Sequence, residues 1–189
     1  DTGDDDEDAG IFIDNADDVT IDKIISKSND FGIRVHESDD VKIYSITINC
    51  DSHKEGLKIV SSDNIEVAWG NYDCATEYGI FSDRSKNGVY HNFSLDDNEY
   101  GMRFYSDSDI VNDATSNQIN SVSISNSASS GLEFDGADNN TVYDTTFDDN
   151  KYGVTFSWGA DHNLLNDVNF VDSDDYDIYH AGCGANGDC

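Results

Sequence analysis

Apolar residues in this chain alternate with polar ones in short bursts, and a glycine opens each burst. Ile11 and Ile13, Ile33 and Val35, Leu57 and Ile59, Met102 and Phe104, Leu132 and Phe134, and Val154 and Phe156 share this frame. Period-two alternation over so few positions marks β-strands rather than amphipathic helices. A second run follows a turn (Val19 and Ile21, Val41 and Ile43, Ile65 and Val67). A third closes the unit (Ile46 and Ile48, Phe93 and Leu95, Val122 and Ile124, Val168 and Phe170). Units begin at Gly10, Gly32, Gly56, Gly79, Gly101, Gly131 and Gly153, at intervals of 22, 24, 23, 22, 30 and 22 residues, with a partial unit from Asp177. A period of this length signals a solenoid, in which each unit buries its apolar face against the next. Three short strands per period predict an all-β parallel β-helix. The frames of leucine-rich repeats and of calcium-binding nonapeptide rolls are absent.

Units of the form G-[IL]-x-[IV]-x-x-S-x-D-[NV]-x-I and G-[LV]-x-F-x-x-A-D-[NH]-N resemble the PbH1 repeat, over roughly residues 10–180. That repeat occurs in right-handed β-helix proteins of the NosD-like and carbohydrate-binding-and-sugar-hydrolase type. The resemblance implies a single-stranded right-handed solenoid of about seven to eight coils of 22–24 residues. It implies no one activity, because lyases, hydrolases, epimerases, adhesins and viral spikes share the fold. No catalytic signature carries over residue by residue.

Charge changes the picture next. Forty acidic residues face ten basic ones, for a net charge of −30, and there is no proline. Such an excess strains a compact fold by self-repulsion unless salt screens it. The expectation is a halophilic, haloarchaeal-type surface, with a calcium-loaded surface as the rival. With 37% hydrophobic residues in regular alternation, the chain is not disordered. The charge disfavours nucleic acid and anionic membranes as partners, and no apolar run reaches membrane-spanning length.

Cys50 and Cys74 lie 24 residues apart in the third-strand regions of successive coils. Coils about 4.8 Å apart place them within disulfide reach. That register favours Cys50–Cys74 together with Cys183–Cys189, and an oxidising, extracellular compartment at a cell or virion surface. The chain shows neither signal peptide nor initiator methionine and reads as a mature or excised piece. Asn92 and Asn139 open glycosylation sequons. Residues 1–9 read as an acidic linker and residues 10–189 as the β-helix domain, closed by a disulfide over 177–189. An abrupt first coil exposes a sheet edge, so self-association or a neighbouring domain is expected at the N-terminal rod end. Asp and Asn pairs between strands (Asp17-Asp18, Asp39-Asp40, Asp63-Asn64, Asn139-Asn140, and His162-Asn163 at the equivalent position) predict left-handed turns and stacked side-chain ladders.

The outward positions of the first strand are where function is sought. They form two rows, Phe12, Arg34, Lys58, Phe81, Arg103, Glu133, Thr155 and Tyr179, and Asp14, His36, Val60, Asp83, Tyr105, Asp135, Ser157 and Ala181. Cations among aromatics, with Trp158 nearby, suit a glycan-binding face. The bland reading is a solvated face on which Arg34, Lys58 and Arg103 relieve acid repulsion. An enzyme reading uses Asp83 and Asp135, two coils or roughly 9–10 Å apart, near the spacing of inverting glycosidases. Alternatively Arg103 or Lys58 acts as the base of a uronate lyase. The long fifth coil carries Asp107, Asp109 and Asp113, weak candidates for Ca²⁺. The five histidines fall at unlike unit positions and form no readable ligand set. The function expected is a surface structural or adhesion module (adhesin, spike or filament subunit) adapted to high salt. The alternatives are a polysaccharide lyase or hydrolase and a calcium-dependent glycan-binding module.

Overall fold

In a computed structural model of the chain, residues 9–27, 29–48, 53–106 and 114–181 are described. Among them every strand pairing is parallel, each strand hydrogen-bonding to its counterpart about one coil away. One sheet of eight strands gathers the glycine-led segments: Ala9–Asp14, Phe31–His36, Glu55–Val60, Tyr78–Asp83, Tyr100–Tyr105, Ser130–Asp135, Tyr152–Ser157 and Tyr176–His180. The second sheet has nine strands. This is the expected parallel β-helix.

The second and third runs of each unit differ from expectation. In most coils they form one continuous strand, as in Lys42–Ile48, Glu66–Tyr72, Val89–Asp96, Thr141–Asp148 and Leu164–Val171. A single left-handed residue bends each of these strands: Ser45, Trp69, Asn92, Asp144 and Asp167. One such residue turns the chain through a corner while the ladder continues on both sides. Only the first coil (Thr20–Asp22, Ile25–Ser26) and the fifth (Gln118–Asn120, Ser123–Ser125) keep two separate strands.

The core is one column. Ile33, Leu57, Ile80, Met102, Leu132 and Val154 are fully buried one above another. Phe104, Phe134 and Phe156 stack at centroid separations of 5.6 and 5.7 Å. The leading glycine faces inward: a Cβ on Gly32 would meet the Gly56 carbonyl oxygen at 2.4 Å and Ile48 Cδ1 at 2.6 Å.

The expected turns and ladders are present. Asp18, Asp40, Asn64, Asn139 and His162 all hold the left-handed conformation. Beside them Ser38 N–H donates to Ser62 Oγ, and Ser62 N–H to Ser85 Oγ, both at 3.0 Å. In later coils asparagines form a second ladder three positions further on: the N–H of Gly88 donates to Asn117 Oδ1, that of Asn117 to Asn140 Oδ1, and that of Asn140 to Asn163 Oδ1, at 2.8–2.9 Å. Buried backbone donors at a corner have no strand partner, so these side chains satisfy them.

Cys50, Cys183 and Cys189 lie outside the described residues, as do Asp107, Asp109 and Asp113 and nearly all of the acidic segment 1–9. Cys74 is described and is not a free thiol.

Candidate glycan-binding face

The first sheet aligns the expected outward rows. Phe12, Arg34, Lys58, Phe81, Arg103, Glu133, Thr155 and Tyr179 are register partners in sequence. So are Asp14, His36, Val60, Asp83, Tyr105, Asp135 and Ser157. The face is not simply solvated, which corrects that reading: Arg34 is 7% and Asp135 4% exposed. The reason is a third outer row, which the sequence reading missed. Residues just before the glycine also face outward, and Phe31, Glu55, Tyr78 and Tyr100 are register neighbours. Gly and the next residue both point inward, so the alternation breaks and the preceding side chain returns to the outer face. The signal in the sequence was the aromatic preceding Gly32, Gly79, Gly101 and Gly153.

Cations and rings interleave along this face. The Arg34 guanidinium lies 5.2 Å from the Phe12 ring centroid and 5.8 Å from that of Phe31. Lys58 Nζ sits 4.8 Å from the Phe31 ring and 5.6 Å from Phe81, and it donates to Glu55 Oε1 at 3.0 Å. Such contacts strengthen as water is excluded. Burial pushes the Glu55 carboxyl above its ordinary range, against the pull of Lys58. At the rim, His36 Nδ1 lies 2.7 Å from Asp14 Oδ1.

The centre is Arg103. Its Nη1 donates to Tyr78 Oη at 2.6 Å, its Nη2 donates to Asp135 Oδ2, and its Nε lies 3.3 Å from Glu133 Oε2. The rings of Tyr78, Tyr100 and Tyr105 surround the guanidinium at 5.6–5.9 Å. Burial raises the Glu133 carboxyl above its ordinary value, and Arg103 opposes that rise. Tyr105, Ser106, Asp135 and Trp158 line a cleft of about 250 Å³ beside this cluster. Trp158 is 69% exposed and holds a left-handed conformation, unusual for a bulky side chain.

The enzyme candidates occupy one row: Asp83 pairs with Tyr105, and Tyr105 with Asp135. Each carboxylate is already engaged. Arg84 Nε and Nη2 donate to the two oxygens of Asp83 at 3.0 and 3.2 Å, and Arg103 donates to Asp135. This pairing suits two hydrogen-bond acceptors better than a proton donor and its base.

The family described as periplasmic copper-binding protein (NosD) matches residues 2–182. The chain belongs to the NosD family. No protein of curated function matches this NosD-family sequence. Its solenoid superposes on the A-module of mannuronan C-5 epimerase AlgE6 from Azotobacter vinelandii with a TM-score of 0.76 at 19% identity, which is a likeness of fold. The match covers 93% of this chain and 54% of that one, so the chain spans about half of that module. Full-length tailspike protein 2 of Escherichia coli O157:H7 bacteriophage CAB120 aligns with a TM-score of 0.46 at 8% identity, over 89% of this chain and 33% of that one.

The family description names copper, which favours imidazole and soft sulfur ligands. Among the described residues no three His, Cys, Asp or Glu side chains converge. The one methionine, Met102, is fully buried in the core. His53 is buried with Nδ1 2.6 Å from the Asn29 carbonyl oxygen, and His91 lies against Glu66. The described donor set does not fit a copper centre.

Proposed function

We propose that this NosD-family chain is an extracytoplasmic surface module that binds a polysaccharide along the first sheet and serves in adhesion. The observation that supports it best is the Arg103 cluster: a guanidinium fixed by Glu133, Asp135 and Tyr78, ringed by tyrosines, beside a cleft edged by the exposed Trp158. Sugars offer apolar ring faces to aromatics and hydroxyls to fixed polar groups, and a rigid sheet holds both kinds of partner in place. The periplasmic description of the family accords with a location outside the cytoplasm. A Cys50–Cys74 disulfide belongs to the same proposal, and non-reducing peptide mapping tests it. Calcium dependence is tested by measuring polysaccharide binding with and without chelator, and association at the N-terminal rod end by light scattering of the purified protein.

Affinity electrophoresis against alginate, pectate and neutral glucans is the direct experiment. Trp158→Ala and Tyr105→Ala should weaken retention about tenfold, a loss of about 1.4 kcal/mol, with circular dichroism unchanged. Equal retention of both variants, or none by the parent protein, overturns the reading.

A second reading is a polysaccharide-modifying enzyme. It is favoured by the placement of Asp83 and Asp135 two strands apart across Tyr105. Turnover of alginate or pectate that vanishes in Asp83→Asn would establish it in place of adhesion.

A further inference from the structure

Both tryptophans of the chain stand at left-handed corners, where small or flexible residues (asparagine, aspartate, serine, glycine, lysine, glutamate and arginine) stand in other coils. Trp158 belongs to the face described above. Trp69 is on the other sheet, 52% exposed, with φ of 54°. A large ring exposed in a conformation that disfavours bulky side chains is a point where function is worth seeking.

The surroundings of Trp69 are built. Its ring centroid lies 5.4 Å from that of Tyr44 and 5.7 Å from that of His91, so neighbouring coils hold the indole on two sides. Both flanking residues are anchored on Glu66: Tyr44 Oη donates to Glu66 Oε2 at 2.6 Å, and His91 Nε2 lies 3.3 Å from Glu66 Oε1. Asn92 Nδ2 lies 2.7 Å from His91 Nδ1. With that amide donating to Nδ1, the imidazole presents its Nε2–H to Glu66. The Tyr44–Glu66 hydrogen bond is the largest influence lowering the Glu66 carboxyl below its ordinary range. The tyrosine itself is pushed up to about 12, chiefly by burial.

A shallow groove of about 530 Å³ opens on the same sheet at Gly70, the residue after Trp69. Asn92, Ser94, Ser121, Ser123, Asp144 and Thr146 line it with hydroxyl, carboxamide and carboxylate groups, and no lysine or arginine is among its lining residues. Ser121 Oγ donates to Asp144 Oδ2 at 2.9 Å, which orients that carboxylate.

We infer that Trp69 and this groove form a second saccharide site, separate from the Arg103 face, that takes a neutral pyranose chain. The indole provides a stacking surface for the apolar face of a sugar ring. The serines, Asn92 and Asp144 accept and donate to hydroxyls. The lone carboxylate and the absence of a lining cation select against uronates, which a chain of net charge −30 also repels.

The test uses Trp158→Ala, in which Trp69 is the only indole, titrated with cellohexaose, mannohexaose and xylohexaose while tryptophan emission is followed. At least one sugar should shift the emission and reduce iodide quenching by about half or more. Further replacement of Trp69 by Phe should weaken binding of that sugar, measured by calorimetry, by about tenfold or more with the fold retained. Oligouronates should produce no shift. No emission change with any neutral sugar overturns the inference, as does unchanged calorimetric affinity in Trp69→Phe. So does a Trp69-dependent dimer in light scattering, which would make the patch a protein contact. The readout is independent of Arg103, so the first-sheet proposal can fail while this one stands.

Discussion

Arg103 reaches diagonally across a strand boundary to Asp135. Its register partner on that strand is Glu133, yet Nη2 donates to the Asp135 carboxylate two residues further on while Nε faces Glu133. One cation thereby serves two carboxylates on neighbouring outer rows, both largely covered by the rings around them.

Removing that cation leaves both acids unpaired under partial burial. Arg103→Ala should destabilise the fold by on the order of 3 kcal/mol, the penalty for an orphaned buried charge. Arg103→Lys should recover only part of this, because an ammonium cannot make the same fork. Urea unfolding at constant salt measures both; a loss below about 1 kcal/mol in Arg103→Ala would show that the cluster is solvated.

Glu133 sets a pH dependence of definite sign. Its folded-state pKa lies above the ordinary 4.5, chiefly through burial. Its contribution to stability is therefore fully present below the unfolded pKa and is lost as pH rises through the folded value. Glu133→Gln cannot ionise, so its melting temperature relative to the parent should rise across that window, whatever the offset from the lost Arg103 attraction. Parallel melting curves from about pH 4 to 7 would mean that the carboxyl titrates normally.

The asparagine ladder should be most sensitive at its middle rung. Asn140 accepts from the Asn117 backbone at 2.9 Å and donates to the Ala114 carbonyl at 3.2 Å, fully buried. Asn140→Ala should cost about 1–3 kcal/mol, the range for leaving a buried polar group unsatisfied. Asn163→Ala, at a partly exposed rung, should cost less. Equal costs in denaturant titrations would show that water substitutes freely in the column.

Salt should stabilise the molecule. Forty acidic side chains repel one another over distances that screening shortens from ~10 Å at 0.1 M to ~3 Å at 1 M. The melting temperature should climb steadily in KCl over this range. The partly exposed Lys54–Asp30 pair, with Nζ 3.2 Å from Oδ2, is too weak to reverse the trend. A flat or falling curve would remove the salt-adapted reading.

The sequence by itself determined the solenoid, its period, the stacking of the glycine-led strands, and two of the outer rows. Side chains such as Arg34, Lys58 and Arg103 obey period-two geometry from a fixed glycine, so their alignment follows from counting. Tertiary structure decided the rest. Strict alternation would have turned Tyr78 and Tyr100 inward; the paired inward step at Gly79-Ile80 and Gly101-Met102 puts them outside, where they enclose Arg103. Trp158 was legible beside the outward rows, but the exposure of Trp69 was not: both tryptophans stand exposed at left-handed corners. Corners depend on how successive coils stack, and no local pattern in one strand encodes that. The meeting of Arg103 with Asp135, and of Trp69 with Tyr44 and His91, arises between coils, across sequence separations of 22 to 32 residues. Only the closed ladder brings such distant side chains within a few ångströms.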